Sequence, residues 1–420
     1  KLLVRSLFFY FLFLFTIEVD GKTYLTRLQV DYLSAPIGID DFQPRFSWEL
    51  SADKMYQYAY RIIVGTDSSA VNRNIGSIWD SKYQTDFHQI TTYKGGKLTP
   101  FTSYYWRVIV LINKNHKQIS SSVQRFSTGM FKSVDWKGTW ITDGHDKDFL
   151  PAPYFRKTFV QEKHTLKAAT VYIVTAGLFK LYINGQLIGD HFLDPAFTHY
   201  DRKCLYEAFD VTSRLRTGQN VLGVVLGNGW YNFQAKAVWN FDKAPWRNRP
   251  AFQLNLRLEY TDGTANTIFT DGTWKTATGP LVYDSIYTGD HYDFRLSDRN
   301  WNRVEYNDRN WVPAVVCRAV TSVVKKQSMV PIRLVKKFDV VSMHRINSRD
   351  YLFDFGQNMS GITELNICGE KGTEVRIKHG ERVDSAGHLN QSNIDIYYRG
   401  DKNSEPFQTD VIWLDGKEDH

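Results

Sequence analysis

Apolar and polar residues alternate over short runs along most of the chain, and helical periodicity is nearly absent. A period of two is the pattern of a half-buried strand. Residues 58–64 and 104–112 carry it early in the chain, with Gly95-Gly96 and Pro100 between them. Further strands are predicted over 170–174, 179–183, 220–226, 252–260 and 267–269. Asn184-Gly185, Asp262-Gly263 and Asp271-Gly272 punctuate these runs. Both members of such pairs tolerate positive φ, so each marks a tight hairpin. A last group, 353–356, 363–368 and 373–379, has Glu370-Lys371-Gly372 as the turn between its final two strands. Short strands without crossover helices argue for antiparallel sandwiches.

The chain of 420 residues is long enough for two to four domains. The strings Gln43-Pro44-Arg45-Phe46-Ser47-Trp48 and Tyr104-Tyr105-Trp106-Arg107-Val108 resemble a fibronectin type III-like sandwich, in which aromatics from the facing sheets fill the core. That module is assigned to 22–129. A jelly-roll-like double sheet follows over 130–320. An incomplete β-sandwich takes 321–420. The fold class is therefore all-β and multidomain.

Composition narrows the function. Aromatic residues make up 15% of the chain, with 12 Trp, 24 Tyr and 27 Phe. Such rings suit pleated sheets, and they also stack on the apolar faces of sugars. The net charge is +7, but 52 basic residues are interleaved with 45 acidic ones. Lys325-Lys326 and Lys336-Lys337 stand alone and read as solvated surface, so no nucleic-acid partner is expected. Three scattered cysteines exclude a thiolate zinc site and allow at most one disulfide. Lys1, Arg5 and the apolar run 6–17 read as a secretory signal, taken as 1–21. The run is too short to span a bilayer comfortably. The expectation is a secreted or periplasmic protein with no membrane span in the mature chain.

The loop 228–250 is the richest in candidate chemistry. It carries Asn228, Trp230, Tyr231, Trp239, Asn240 and Trp246, which are the expected sugar-binding residues. Rings stack while amides bond hydroxyls. Gly227-Asn228-Gly229 opens no helix, so it makes no phosphate cradle. Asp284, Asp290 and Asp293 lie in an aromatic segment and read as structural acceptors, leaving no catalytic residue to name.

These motifs, in this order, resemble the bacterial α-L-rhamnosidases of glycoside hydrolase family 78. Pro36 to Trp48 is similar to the opening of that family's fibronectin-like module. Tyr182-Ile183-Asn184-Gly185, Leu193-Asp194-Pro195, Tyr200, Asp210-Val211-Thr212, Gly218-Gln219-Asn220 and Gly227-Asn228-Gly229-Trp230-Tyr231 resemble its N-terminal sugar-binding domain. Tyr287 to Asp293 resembles the segment closing that domain, with Asp290 where the family usually has Glu. Asp354-Phe355-Gly356-Gln357-Asn358 and His379-Gly380-Glu381 resemble the next sandwich. The resemblance implies an inverting hydrolase for terminal α-L-rhamnose, whose catalytic (α/α)6 barrel follows the last sandwich and is absent from this chain. The chain would supply accessory domains and be inactive alone. It also implies a calcium ion assisting rhamnose binding, with Asp190, Asn240 and Pro245 at compatible spacing and His191 in place of the expected Asn. The expected partners are rhamnose-containing glycans or glycosides. The alternative reading is a non-catalytic, lectin-like or surface protein that binds such glycans.

Overall fold

The computed structural model describes residues 23–51, 55–113, 117–162 and 165–417, so the secretory segment 1–21 lies outside the described residues. Among the described residues the only α-helix is Ser68–Asn72, and the remaining order is strand, turn and short 3-10 helix. The all-β expectation holds, with no helical barrel among these residues. The chain divides into two units. The first comprises residues up to 35, 43–97 and 104–125, and the second comprises 36–42, 98–103 and 126 onward.

The first unit is a two-sheet sandwich. Tyr24–Val30, Arg45–Ser51 and Ile90–Thr92 form one sheet, and Gln57–Gly65 with Ser103–Ile112 form the heart of the other. Phe46 of the first sheet meets Trp106 of the second edge-on at 4.8 Å, and both rings are fully buried. Trp48 donates from its indole nitrogen to Gln57 Oε1 at 2.8 Å, so its one polar atom is satisfied inside the core.

The second unit is built on a double sheet. A six-stranded layer runs 186–187, 178–183, 218–227, 153–161, 275–278 and 312–313 in spatial order. A seven-stranded layer has Ala251–Tyr260 and Leu166–Ala176 at its centre. Val171, Ile173, Leu254 and Leu256 from one layer interleave with Phe155, Leu181, Leu222 and Val224 from the other. The strand Leu166–Ala176 is apolar on its second face too. Tyr172, Val174 and Ala176 point there, beside Tyr206 of the neighbouring strand, and pack against Met130, Tyr200 and Tyr231. On the far side of the six-stranded layer, Trp301 lies over Gly223, where any Cβ would come within 2.8 Å of the ring. Only glycine leaves room for that indole.

Two expected hairpins form as read. Asn184 and Gly185 both adopt positive φ between paired residues Ile183 and Gln186. Asp262-Gly263 joins Ala251–Tyr260 to Ala265–Phe269. Asp271-Gly272 does not form a hairpin. It carries the chain from the seven-stranded layer to Lys275–Thr278 in the six-stranded one, because Trp274 must turn into the core between the layers.

The last block departs further from the pattern. Residues 363–368 make no ladder, although Leu365 and Ile367 alternate in burial as a strand would. Alternation supplies a face, but a strand also needs a neighbour to bond, and 363–368 has none among the described residues. Tyr351–Asp354 pairs only with Ser342–Arg345. Val341, Met343 and Ile362 in this region stand largely exposed. A four-stranded sheet forms one join between the block and the rest of the unit. Leu281–Ser285, Gly289–Asp293, Thr409–Trp413 and Glu374–Lys378 lie side by side, the middle pair parallel.

Three carboxylates cross that sheet. Asp284 stands opposite Asp290, and the Asp290 amide N–H donates to Asp410 Oδ1 on the next strand at 2.8 Å. Burial, then the charge of Asp290, pushes the Asp284 carboxyl up to about 7, and the bonds from Asn228 offset this only in part. Burial and Asp410 push Asp290 up to about 6, with Lys180 acting against them. Asp290 reaches solvent at its edge, so the larger share of the effect belongs to Asp284.

Two outcomes are expected. In hydrogen exchange, the amides of 166–176 and 251–260 will be the slowest, and those of 342–354 will exchange orders of magnitude faster, since their hairpin buries little. Stability will also depend on pH. A carboxyl whose folded pKa lies above its unfolded value binds more protons when folded, so stability is lost above about 7 and recovered as pH falls. His291, whose pKa burial lowers, acts oppositely below about 6.5. Thermal midpoints should therefore rise from pH 8 to 6.5, and Asp290→Asn should flatten that rise. A wild-type midpoint that falls over this interval would refute the assignment.

Candidate carbohydrate-binding site

The loop 228–250 leaves the six-stranded layer after Gly218–Gly227 and re-enters the seven-stranded layer at Ala251. Both of its ends are clamped. At the first, Asn228 is buried and donates its amide N–H to Asp284 Oδ1 at 2.6 Å and its Nδ2 to Asp284 Oδ2 at 2.9 Å. Its side-chain oxygen accepts from Asn232 at 2.7 Å. At the second, Arg249 grips Asp143 through two bonds of 3.0 and 2.7 Å, with both side chains almost fully buried. Its remaining donors reach the carbonyls of Phe149 and Pro151. Burial alone would raise the Asp143 carboxyl, but the bonds and charge of Arg249 outweigh it and hold the group below the usual carboxylate range. Removing one partner of such a pair costs about 3–5 kcal/mol, because the other charge stays buried.

Between the clamps the expected sugar-binding residues divide by depth. Asn228 and Tyr231 are interior groups. Tyr231 packs edge-on to Tyr200 at 5.1 Å, beneath the surface. Trp230 is half-buried and stacks parallel to Phe233 at 5.5 Å, with Phe241 and Tyr287 against its edges. Trp246 is half-buried against His199 at 4.4 Å. Trp239 and Asn240 reach the surface. Asn240 has a left-handed backbone (φ 52°) and starts the 3-10 turn Phe241–Lys243. Trp239 is 56% exposed, and its ring lies 5.6 Å from that of Tyr397, which is exposed as well. The loop tip is tied to that downstream segment by backbone. Val238 N–H donates to the Tyr397 carbonyl at 3.0 Å, and Arg399 N–H donates to the Lys236 carbonyl at 2.9 Å. Lys236 and Asp401 add an ion pair at 2.8 Å. The tip thus presents two adjacent rings on a braced backbone, flanked by an amide and charged groups that can bond hydroxyls.

The expected calcium ligands lie apart in their bonding. Asp190 is exposed, and its Oδ2 accepts from Arg333 Nε at 2.8 Å. That bond holds its carboxyl below the usual range. Asn240 donates to the Val238 carbonyl at 3.4 Å, and Pro245 sits at the surface beyond the 3-10 turn. Among the described residues no hydrogen bond or ion pair joins Asp190 to either of them.

Sequence reasoning missed two sets of residues. Tyr397 lies far from Trp239 along the chain, and nothing in its own neighbourhood marks it. The Lys325-Lys326 doublet reads as solvated surface, and for Lys326 the structure corrects this. Val324–Lys326 pairs in parallel with Cys204–Tyr206, and Lys326 Nζ reaches Glu207 Oε2 at 2.6 Å with both side chains buried. A doublet of lysines carries no sign of which one turns inward. Lys337 does remain at the surface, paired with Glu364 at 2.7 Å.

Comparisons with known proteins bear on the whole chain. Residues 25–132 match the family model of a Rha78A-like N-terminal immunoglobulin domain. Residues 164–336 match the alpha-L-rhamnosidase N-terminal domain, and 344–420 match the bacterial alpha-L-rhamnosidase concanavalin-like domain. An alpha-L-rhamnosidase of Formosa agariphila is 30% identical over 82% of this chain and 39% of its own length. One from Alteromonas sp. is 29% identical over 83% of this chain and 39% of its own. The solved alpha-L-rhamnosidase of Dictyoglumus thermophilum superposes with a TM-score of 0.82 at 31% identity, over 94% of this chain and 45% of that one. The Streptomyces avermitilis enzyme, solved with L-rhamnose, shares the fold with a TM-score of 0.84 at 19% identity, over 95% of this chain and 54% of that one. The chain therefore spans less than half the length of the curated relatives it matches. The order of the three matched domains, the relatives and the superposed fold agree: the chain belongs to the bacterial α-L-rhamnosidases of glycoside hydrolase family 78, of which it carries the N-terminal domains.

Proposed function

We propose that this chain supplies the sugar-handling β-domains of an exported, inverting α-L-rhamnosidase, and that it does not hydrolyse rhamnosides alone. Export rests on the apolar run 6–17 behind Lys1 and Arg5. The substrate class rests on the relatives, each named an alpha-L-rhamnosidase. The observation that carries the binding role is the solvent-facing ring pair Trp239 and Tyr397, mounted on a loop clamped at both ends and braced at its tip. A preorganised ring pair loses little entropy when a sugar stacks on it.

Two carboxylates of the aromatic segment, Asp284 and Asp293, support the reading that the isolated chain is inactive. Glycoside hydrolysis needs an acid and a base on opposite sides of the scissile bond, in reach of substrate. Asp284 has a raised pKa of the kind a general acid needs. However, both its oxygens are held by Asn228, and it is sealed beneath the sheet. Asp293 is spent on Arg295 through two bonds of 2.8 and 2.7 Å. Neither can meet a glycosidic oxygen.

The purified chain should show no turnover of an aryl α-L-rhamnoside above the buffer rate, and reproducible turnover that copurifies with it would overturn the reading. It should bind a rhamnose-bearing polysaccharide in affinity electrophoresis. Trp239→Ala should weaken that binding about tenfold, the loss of one ring contact. Tyr231→Phe, an interior change, should leave it unaltered. Equal binding by wild type and Trp239→Ala would remove the ring pair from the site.

A further inference from the structure

One cluster in the second unit has the donor set of a metal site. The ligand atoms of His191, Asp194 and Glu207 all lie within 4.8 Å of one another, and the three side chains are largely buried. Asp190 stands beside them, its Oδ1 3.5 Å from His191 Nε2. One imidazole and three carboxylates would suit a divalent cation.

The chain has already supplied cations of its own. The segment 324–333 crosses this face as a strap, pairing through Val324–Lys326 with Cys204–Tyr206 and through Ile332–Arg333 with His191–Phe192. Lys326 Nζ bonds Glu207 Oε2 at 2.6 Å. Gln327 Nε2 donates to Asp194 Oδ1 at 3.1 Å. Arg333 donates from Nε to Asp190 Oδ2 at 2.8 Å and from Nη2 to His191 Nε2 at 2.9 Å. Guanidinium has no acceptor, so His191 Nε2 must accept. Nδ1 then carries the proton and donates to Asp194 Oδ2 at 2.7 Å. All three members of the buried donor set are engaged, and Asp190 with them. Charge is nearly balanced as well. Asp190, Asp194 and Glu207 contribute −3, and Lys326 and Arg333 contribute +2, leaving −1.

We propose that the Lys326–Arg333 strap stands in for a divalent cation at the Asp190–His191–Asp194–Glu207 cluster, so that this face of the double sheet holds no calcium and needs none. The same strap withdraws Asp190 from the calcium set that the family resemblance implies. A +2 ion there would face the Arg333 guanidinium and, deeper in, a buried ammonium with nowhere to go. An ion could enter only by expelling Lys326 from Glu207, which would leave an unpaired charge in the interior. The face is therefore complete as folded, and removing Lys326 would expose a latent metal site.

The test reads metal alone, so it stands whether or not the chain binds sugar. Thermal unfolding of the full chain is followed with a chelator, with millimolar Ca2+ and with millimolar Mn2+. The wild-type midpoint should agree across all three within about 1 °C, and calorimetric titration with Ca2+ should give no saturable heat. A rise of about 5 °C or more with Ca2+, reversed by chelation, would overturn the proposal. Lys326→Met should lower the midpoint in chelator and recover several degrees with Mn2+. A soluble Lys326→Met with no metal response would count against the latent site. If that variant does not fold, the wild-type titration still decides the main claim, and the exposed Arg333→Gln, which frees Asp190 and His191, should gain a Ca2+ response that the wild type lacks.

Discussion

The strands Leu166–Ala176 and Ala251–Tyr260 bury both faces, and much of the second unit follows from that constraint. A sheet with one dry face needs one partner, but a sheet dry on both sides needs two. The six-stranded layer supplies the first. Connecting segments supply the second and serve as the roof. That is why Tyr200, Tyr231 and Trp246 of the connections carry so much apolar surface. A connection used as a roof must be fixed in place, and Asn228 with Asp284 and Arg249 with Asp143 fix it. The surface ring pair is positioned as a consequence: the same loop that closes the core lifts Trp239 above it.

Much of this was legible in the chain itself. Period-two runs located five strands of the double sheet to within a few residues but left 153–161, 204–210 and 275–278 unmarked, and Asn184-Gly185 marked a true hairpin because both residues carry positive φ. Asp271-Gly272 misled, because the local chemistry of a turn does not say whether the chain returns to the same layer or crosses to the other. Residues 363–368 misled for a related reason, since alternation describes a face and not a neighbour. In the loop, aromatic content was visible but depth was not. Trp239 and Tyr231 are alike in sequence terms, and only the packing of Tyr200 against one and Tyr397 against the other separates interior from surface.

Charge is buried in two ways here. Arg249 with Asp143 and Lys326 with Glu207 are opposite charges taken out of water together, each bonded to its partner. Asp284 is a lone carboxylate opposed by another, and burial shifts its titration instead. The first arrangement locks segments distant in sequence into place. The second leaves a sheet whose comfort depends on its proton.

The parallel pairing of Gly289–Asp293 with Thr409–Trp413 has a mechanical side. Both strands point the same way, and the chain between them forms a closed excursion. Tension applied between the two termini would draw the earlier strand toward its N-terminal end and the later one toward its C-terminal end. The ladder from His291–Val411 to Asp293–Trp413 would be loaded in shear, with its bonds strained together instead of opened one by one. Rupture under load is set by the barrier to unfolding and not by equilibrium stability. This join between the double sheet and the block beyond it is oriented to resist such loads.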